Sequence, residues 1–204
     1  MLTLTRREGE RIAIGDDVEI TIVDIGRGKV RIGIRAPRTM AIVRSEVLAR
    51  IEAENRRATA ELAPPLSDEV DHTIEIPSGL PGLRDHRRFV LADVPGYPAM
   101  RALVSLADPL VRLMIVEATL LDPSYSIADA MARAALPDRE VAVTVVVTLP
   151  RDGRAPTVNL LAPIVIGLES RRGEQVILDG SGLSAREVLV HTESAPAPRE
   201  SLAP

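Results

Sequence analysis

The stretch MLTLTRREGERIAIGDDVEITIVDIGRGKVRIGIRAPRTMAIVR, residues 1–44, decides the fold of the amino-terminal part. Its apolar residues fall in short alternating or β-branched runs at 1–7 (MLTLTRR), 10–14 (ERIAI), 18–25 (VEITIVDI), 30–36 (VRIGIRA) and 39–43 (TMAIV). Runs of this period read as strands. Turn residues separate them: Gly9, Gly15-Asp16-Asp17, Gly26 to Lys29, and Pro37. The pattern predicts five strands in a very small sheet. A disulfide-free sheet of that size buries too little apolar surface to stand alone, so a dimer is expected.

Working outward, a helix is predicted from about Ser45, placed as its N-cap, to about Leu62, where Ala63-Pro64-Pro65 removes backbone donors and ends it. Leu48, Ile51, Asn55, Ala58 and Leu62 share one helical stripe. Asn55 interrupts it. A lone amide in an apolar seam can fix register or partner choice. An Asn at a frayed, solvated helix end fits the same spacing.

Residues 63–71 (APPLSDEVD) read as a Pro-rich acidic linker and 191–204 (HTESAPAPRESLAP) as a disordered tail. Between them, strands are predicted at 73–77, 88–94, 101–107, 111–118, 140–149, 157–167 and 174–178, with one short helix from Ile127 to Leu136. Many strands with one helix favour a closed or nearly closed barrel, because closure removes exposed edges. The expected fold class is mainly β: a small five-stranded dimerising β domain with a C-terminal helix (1–62), then a β-barrel-like domain with one short helix (72–190).

Composition bounds the chemistry. At 204 residues and 46% apolar content the chain can fill a core, and it holds no Cys, which excludes a disulfide framework, a thiolate metal site and a Cys nucleophile. The start, MLTLTRREGE, lacks an apolar run of signal-peptide length, and no stretch reaches the roughly 18 apolar residues of a membrane span. A cytoplasmic protein without membrane partners is expected. Residues 1–58 hold 12 Arg or Lys against 9 Asp or Glu, whereas 59–204 hold 13 against 20. The two parts therefore differ in sign, +3 against -7, as suits a polyanion-binding module beside an acidic partner domain. Arginine outnumbers lysine 24 to 1, which codon bias also produces, so position and not abundance must carry the argument.

Catalytic and metal signatures are missing from the sequence. His72, His86 and His191 lie far apart with no ligand spacing; Gly79-Leu80-Pro81-Gly82 and Gly180-Ser181-Gly182 lack the companions of a phosphate loop. No nucleophile elbow occurs, and Asp108, Glu117 and Asp122 are scattered. A non-enzyme without metal or cofactor is expected. The aromatic residues Phe89, Tyr97 and Tyr125 all lie in the second part. Single-strand binders normally stack bases on aromatics, so RNA recognition in the first part would need Arg, aliphatic and backbone contacts.

That solution belongs to the carbon storage regulator family of bacterial translational regulators, which this sequence resembles from Met1 to about Arg57. MLTLTRREGERIAIGDDVEITI, VRIGIRAPRTMAIVRSEV and LARIEAEN follow the family's strand, turn and helix blocks without a gap. The resemblance implies an intertwined homodimer in which the first strand of one chain lies beside the fifth of the other. It implies two RNA sites for GGA-containing loops of mRNA leaders, built from Leu4, Arg6, Arg7, Met40, Ala41, Ile42 and Arg44. A planar guanidinium such as that of Arg44 can pair with a guanine edge or clamp phosphate. Read without the resemblance, Leu4 and Ile42 are core residues, and Arg44 pairs with Glu46 or Glu10. Two positions depart from the family: Val43 stands where His is common, and Thr3 where an aliphatic residue is usual.

The second part resembles the flagellar assembly factor FliW across about 72–190, through GLPGL (79–83), FVL (89–91), LVS (103–105), NLLAPIVI (159–166) and QVIL (175–178). This implies a non-enzymatic, flagellin-binding protein that also inhibits the carbon storage regulator by gripping its terminal helix. Leu48, Ile51 and Asn55 are the implied contacts, within a chain or across the dimer. The expected function is a repressor of flagellar and motility messages with a fused antagonist. The alternative is a flagellin-binding assembly chaperone with a weak or vestigial RNA-binding domain.

Overall fold

A computed structural model describes residues 1–37, 40–60, 70–150 and 154–189. The chain divides into two compact units, Met1–Ile42 and Val43–Pro204.

The first unit is a three-stranded antiparallel sheet in the order β1 (Arg11–Ile14), β2 (Val18–Gly26), β3 (Lys29–Arg35). A two-residue turn joins β2 to β3, with φ 46° at Arg27 and 76° at Gly28. Positive φ at both central residues suits the twist of a hairpin, and glycine takes it without strain. Three strands replace the expected five. Residues 1–7 and 40–43 join no ladder among the described residues, because alternation reports which face a side chain takes and not whether a partner strand is present. No described residue of this unit is buried; Ile14, Ile25, Val30, Ile32 and Ile34 are all exposed.

The second unit opens with α1 (Ser45–Ala60). Then come β4 (Val70–Glu75), β5 (Arg88–Asp93), β6 (Met100–Ser105), β7 (Arg112–Glu117), α2 (Ala118–Leu121), α3 (Ile127–Arg133) and β8 (Val141–Thr148). The last strands are β9 (Thr157–Val158), β10 (Ile164–Gly167), β11 (Gly173–Gln175) and β12 (Glu187–Val188). They form one nine-stranded sheet along the path β11-β10-β8-β7-β6-β5-β4, with β9 on β8 and β12 on β9. The expected barrel is not closed. Among the described residues the ends of the path meet at one isolated parallel bridge, between Glu75 and Arg172, where closure needs a continuous ladder.

Three further expectations change. The run 157–167 splits into β9 and β10, because Asn159 folds back and its side-chain oxygen accepts from the Ala162 amide at 3.1 Å. A second short helix, α2, precedes α3, which ends at Arg133 and not Leu136; the described turn of sequence around Ala134 leaves helical geometry with ψ 133°. The stretch read as a linker to residue 71 already contains the start of β4 at Val70. Leu62 and the segment 191–204 lie outside the described residues.

Both faces of the central sheet are covered. Phe89, Leu103, Leu113, Ile115, Val146, Ile164 and Ile166 line one face, while Ala102, Met114, Val116, Val143, Val145, Val147 and Val165 line the other. Strands buried on both faces need no polar alternation, which is why β8 reads VAVTVVVT. Helix α1 packs over β7 and β8, adding Val47 and Ile51 to the second of these faces.

Candidate functional site: the seat of helix α1

Helix α1 is amphipathic, and its buried stripe begins with Val47 and continues through Ile51 to Asn55, both 0% exposed. Leu48 is half-buried against the same core, and Ala58 packs at the margin of the opposite one. A carboxamide without exposure must satisfy its donors and acceptor within the protein. Asn55 Nδ2 donates to the Pro81 carbonyl at 2.9 Å and to Gln175 Oε1 at 2.6 Å. Gln175 Nε2 donates back to Asn55 Oδ1 at 3.3 Å and to the Ala162 carbonyl at 2.9 Å. Pro81 lies in GLPGL, Ala162 in NLLAPIVI and Gln175 in QVIL, so three stretches distant in sequence meet at the Asn55–Gln175 amide pair.

Gly82 makes the close approach possible. Its φ is 79°, and a Cβ there would sit 2.7 Å from the Glu52 carbonyl oxygen and 3.1 Å from Glu52 Cα. A side chain at this position would drive into the helix backbone. Around the rim, Glu52 pairs with Arg84 at 3.6 Å and with Arg56 at 3.9 Å.

The amino-terminal end of α1 is held by a separate device. The Arg44 carbonyl accepts from the amides of Val47 and Leu48 at 3.0 Å, which puts Arg44 itself, and not Ser45, at the N-cap. Its backbone N–H donates to Asp179 Oδ2 at 3.2 Å, and its Nε donates to Asp179 Oδ1 and Oδ2 at 3.1 and 3.0 Å. Arg44 Nη2 also donates to Oδ1. The Arg44 side-chain hydrogen bonds, more than any other interaction, hold the Asp179 carboxyl down to about 2 and raise the Arg44 guanidinium above its ordinary value. A carboxylate at a helix amino terminus also meets the positive end of the helix dipole. Arg133, in the last turn of α3, donates to the carbonyls of Ile177 at 2.9 Å and Asp179 at 3.3 Å, fixing the main chain that presents the carboxylate.

The remaining residues of the implied RNA site lie in the first unit. Leu4, Arg6, Arg7, Met40, Ala41 and Ile42 are all exposed, and Leu4 and Ile42 are not core residues in this chain. Arg44 pairs with Asp179, and neither Glu46 nor Glu10 forms its salt bridge. Among the described residues no group of three or more His, Asp or Glu side chains could hold a metal ion, and no helix is long and apolar enough to cross a membrane.

Comparison with known proteins assigns both parts of this arrangement. The FliW family model, described as "FliW protein", matches residues 58–189, and the CsrA model, described as "Global regulator protein family", matches residues 1–53. The chain belongs to both families. The CsrA-like part is 59% identical over 58 residues to the translational regulator CsrA of Leifsonia xyli subsp. xyli, covering 28% of this chain and 68% of that protein. CsrA of Syntrophomonas wolfei subsp. wolfei is 44% identical over 91 residues, covering 44% of this chain and 100% of that protein. The flagellar assembly factor FliW of Symbiobacterium thermophilum is 35% identical over 125 residues, covering 59% of this chain and 91% of that protein. A crystal structure of the flagellar assembly factor FliW superposes with a TM-score of 0.50 at 26% identity, covering 57% of this chain and 84% of that one.

The family boundary and the physical boundary do not coincide. Arg44, Val47, Leu48 and Ile51 fall within the CsrA match, yet they pack inside the unit that contains the whole FliW match. Sequence periodicity marks Leu48, Ile51 and Asn55. It does not reach Val47, on α1 itself, nor Gly82, Gln175 and Asp179, which meet α1 only through the tertiary fold, the last two across 120 and 135 positions. The motifs GLPGL and QVIL flag the neighbourhoods of Gly82, Gln175 and Asp179 without naming a partner.

Proposed function

We propose that this chain is a post-transcriptional regulator whose CsrA-like part binds GGA-containing loops of mRNA leaders and whose FliW-like part restrains that binding. RNA contacts are assigned to Leu4, Arg6, Arg7, Met40, Ala41, Ile42 and Arg44; the restraining contacts are Leu48, Ile51 and Asn55. The observation that carries this reading is the seating of CsrA-like helix residues in the FliW-like core, with Asn55 buried in an amide network. The opposite charge of the two parts supports it, since the acidic part disfavours an incoming polyanion.

The working form is a homodimer through the first unit, whose sheet leaves Ile14, Ile25, Val30, Ile32 and Ile34 exposed. The nine residues between the end of α1 at Ala60 and the start of β4 at Val70 can span at most about 30 Å at about 3.3 Å each. A tether of that length keeps helix and seat at about millimolar effective concentration, so dilution cannot release them. Relief therefore needs a competitor for the FliW-like part, and flagellin is the partner that the relative's name, a flagellar assembly factor, makes the first to test. Motility messages are the corresponding targets.

Hairpin binding by the full chain, measured by fluorescence anisotropy with and without flagellin, tests this function. Flagellin is expected to tighten binding, and Arg44→Ala to weaken it whether or not flagellin is present. Binding indifferent to flagellin rules out the control device. Binding indifferent to Arg44→Ala leaves the second reading, an assembly chaperone with a weak or vestigial RNA-binding domain; the engagement of Arg44 by Asp179 is the observation in its favour.

A further inference from the structure

The seat of α1 contains two contacts of different physical character. Ile51 and Asn55 are wholly buried, and their removal from the seat would expose apolar surface and orphan the Gln175 amide. The Arg44–Asp179 pair lies at the surface: the arginine side chain is 64% exposed, whereas the Asp179 side chain is only 12% exposed. The carboxylate is held within the fold, whereas most of the arginine side chain is open to solvent.

The pair occupies the atoms that matter for anion recognition. Nε and one terminal nitrogen form the edge of a guanidinium that makes two parallel bonds to phosphate or to a guanine edge. Asp179 holds that edge, with Nε donating at 3.0 and 3.1 Å and Nη2 donating beside it. A carboxylate and a phosphate oxygen pair present similar acceptor geometry, so both cannot use the same edge at once.

We propose that Asp179 is an internal competitor for RNA, a carboxylate that takes the recognition edge of Arg44 and must be displaced by the nucleic acid while α1 stays in its seat. This rests on the assignment of Arg44 to RNA made above and adds a mechanism at that residue. It separates two actions: Val47, Ile51 and Asn55 dock the helix, and Asp179 masks one of its RNA-binding groups. An exposed ion pair is weak enough to be exchanged, so the mask sets the threshold for RNA and does not abolish binding. Arg133 acts as a positioning residue, since it holds the carbonyls of Ile177 and Asp179 and thereby the carboxylate.

The test compares four full-length chains at one salt concentration against a fluorescein-labelled RNA hairpin with GGA in its loop: wild type, Asp179→Asn, Glu187→Gln and Arg44→Ala. Asp179→Asn is expected to bind roughly fivefold tighter than wild type, the scale of one exposed ion pair. Glu187→Gln, which removes an equal charge from an exposed strand, is expected to bind like wild type. If Asp179→Asn binds no tighter while Arg44→Ala is weaker than wild type, the mask is wrong and the RNA assignment stands. If all four bind alike, the RNA assignment itself fails and the mask with it. An equal gain in Glu187→Gln would reduce the effect to general repulsion and also overturn the mask. A measurement without substitutions guards against a misfolded variant. On addition of the hairpin to ¹⁵N-labelled wild type, the Arg44 Nε–H signal must shift while the Val47 to Asn55 amides remain protected; an unmoved signal at saturating RNA overturns the proposal.

Discussion

At the scale of the residue, the most informative position is Asn55, where periodicity allows either a specifying amide or a frayed end and the fold selects the first. Truncation to Ala would leave the Gln175 amide and the Pro81 carbonyl short of a partner. Unsatisfied buried groups cost about 1–3 kcal/mol, so Asn55→Ala is expected to lower the stability of the second unit by about that much in urea unfolding. Replacing Asn55 and Gln175 together by Ala should cost less than the sum of the single changes, because the orphaned partner is then gone. Strict additivity in that cycle would show that the two amides do not act as a pair. Asp179 makes a different prediction, in pH. Its carboxyl lies at about 2 in the folded chain against an ordinary value of 3.8, chiefly through the Arg44 side-chain hydrogen bond. A depressed carboxyl stabilises the folded state fully above its unfolded value and loses that contribution as pH falls through the folded one. The stability difference between wild type and Asp179→Asn should therefore be flat from about pH 5 to 8 and shrink below about pH 4. A difference that changes between pH 6 and 8 would mean that another group controls the contact.

At the scale of the element, helix α1 was legible in existence, in extent to within its described residues, and in its apolar stripe. Its destination was not legible. A stripe states that a surface must be covered and carries no information on which strands cover it, so Val47 and the β7–β8 floor emerge only from packing. Truncating Ile51, which is fully buried, to Ala should cost about 2–5 kcal/mol, as for other core aliphatics. Gly82→Ala attacks the same seat from the opposite side, since the new Cβ would meet the Glu52 carbonyl at 2.7 Å. Faster hydrogen exchange at α1 amides, with the β5–β8 core still protected, is the expected signature in both variants. Unchanged exchange in Gly82→Ala would contradict the close approach. The sheet shows the complementary lesson: strand positions followed from β-branched runs, but an open path and a closed barrel have the same local pattern. They differ only in whether the edges near Glu75 and Arg172 continue as a ladder.

At the scale of the whole molecule, the first unit has no buried residue among those described, whereas the second has two cores on opposite faces of one sheet. A unit so poor in buried surface is expected to associate, and sedimentation of the full chain should report a dimer at micromolar concentration. Ile32→Lys, which puts a charge on an exposed apolar strand, should shift it toward monomer; a monomeric wild type would remove the homodimer from the proposed function. The sequence by itself determined that two families are joined, that the chain is mainly β, and where most strands and the long helix lie, because those properties follow from local periodicity, turn residues and motif order. Only the tertiary structure decided that the physical boundary falls at residue 42, ahead of the helix, and that Arg44 meets Asp179 while Asn55 meets Gln175. The reason is that such pairings join residues 135 and 120 positions apart. Nothing in the local sequence of either partner depends on the other until the sheet between them has formed.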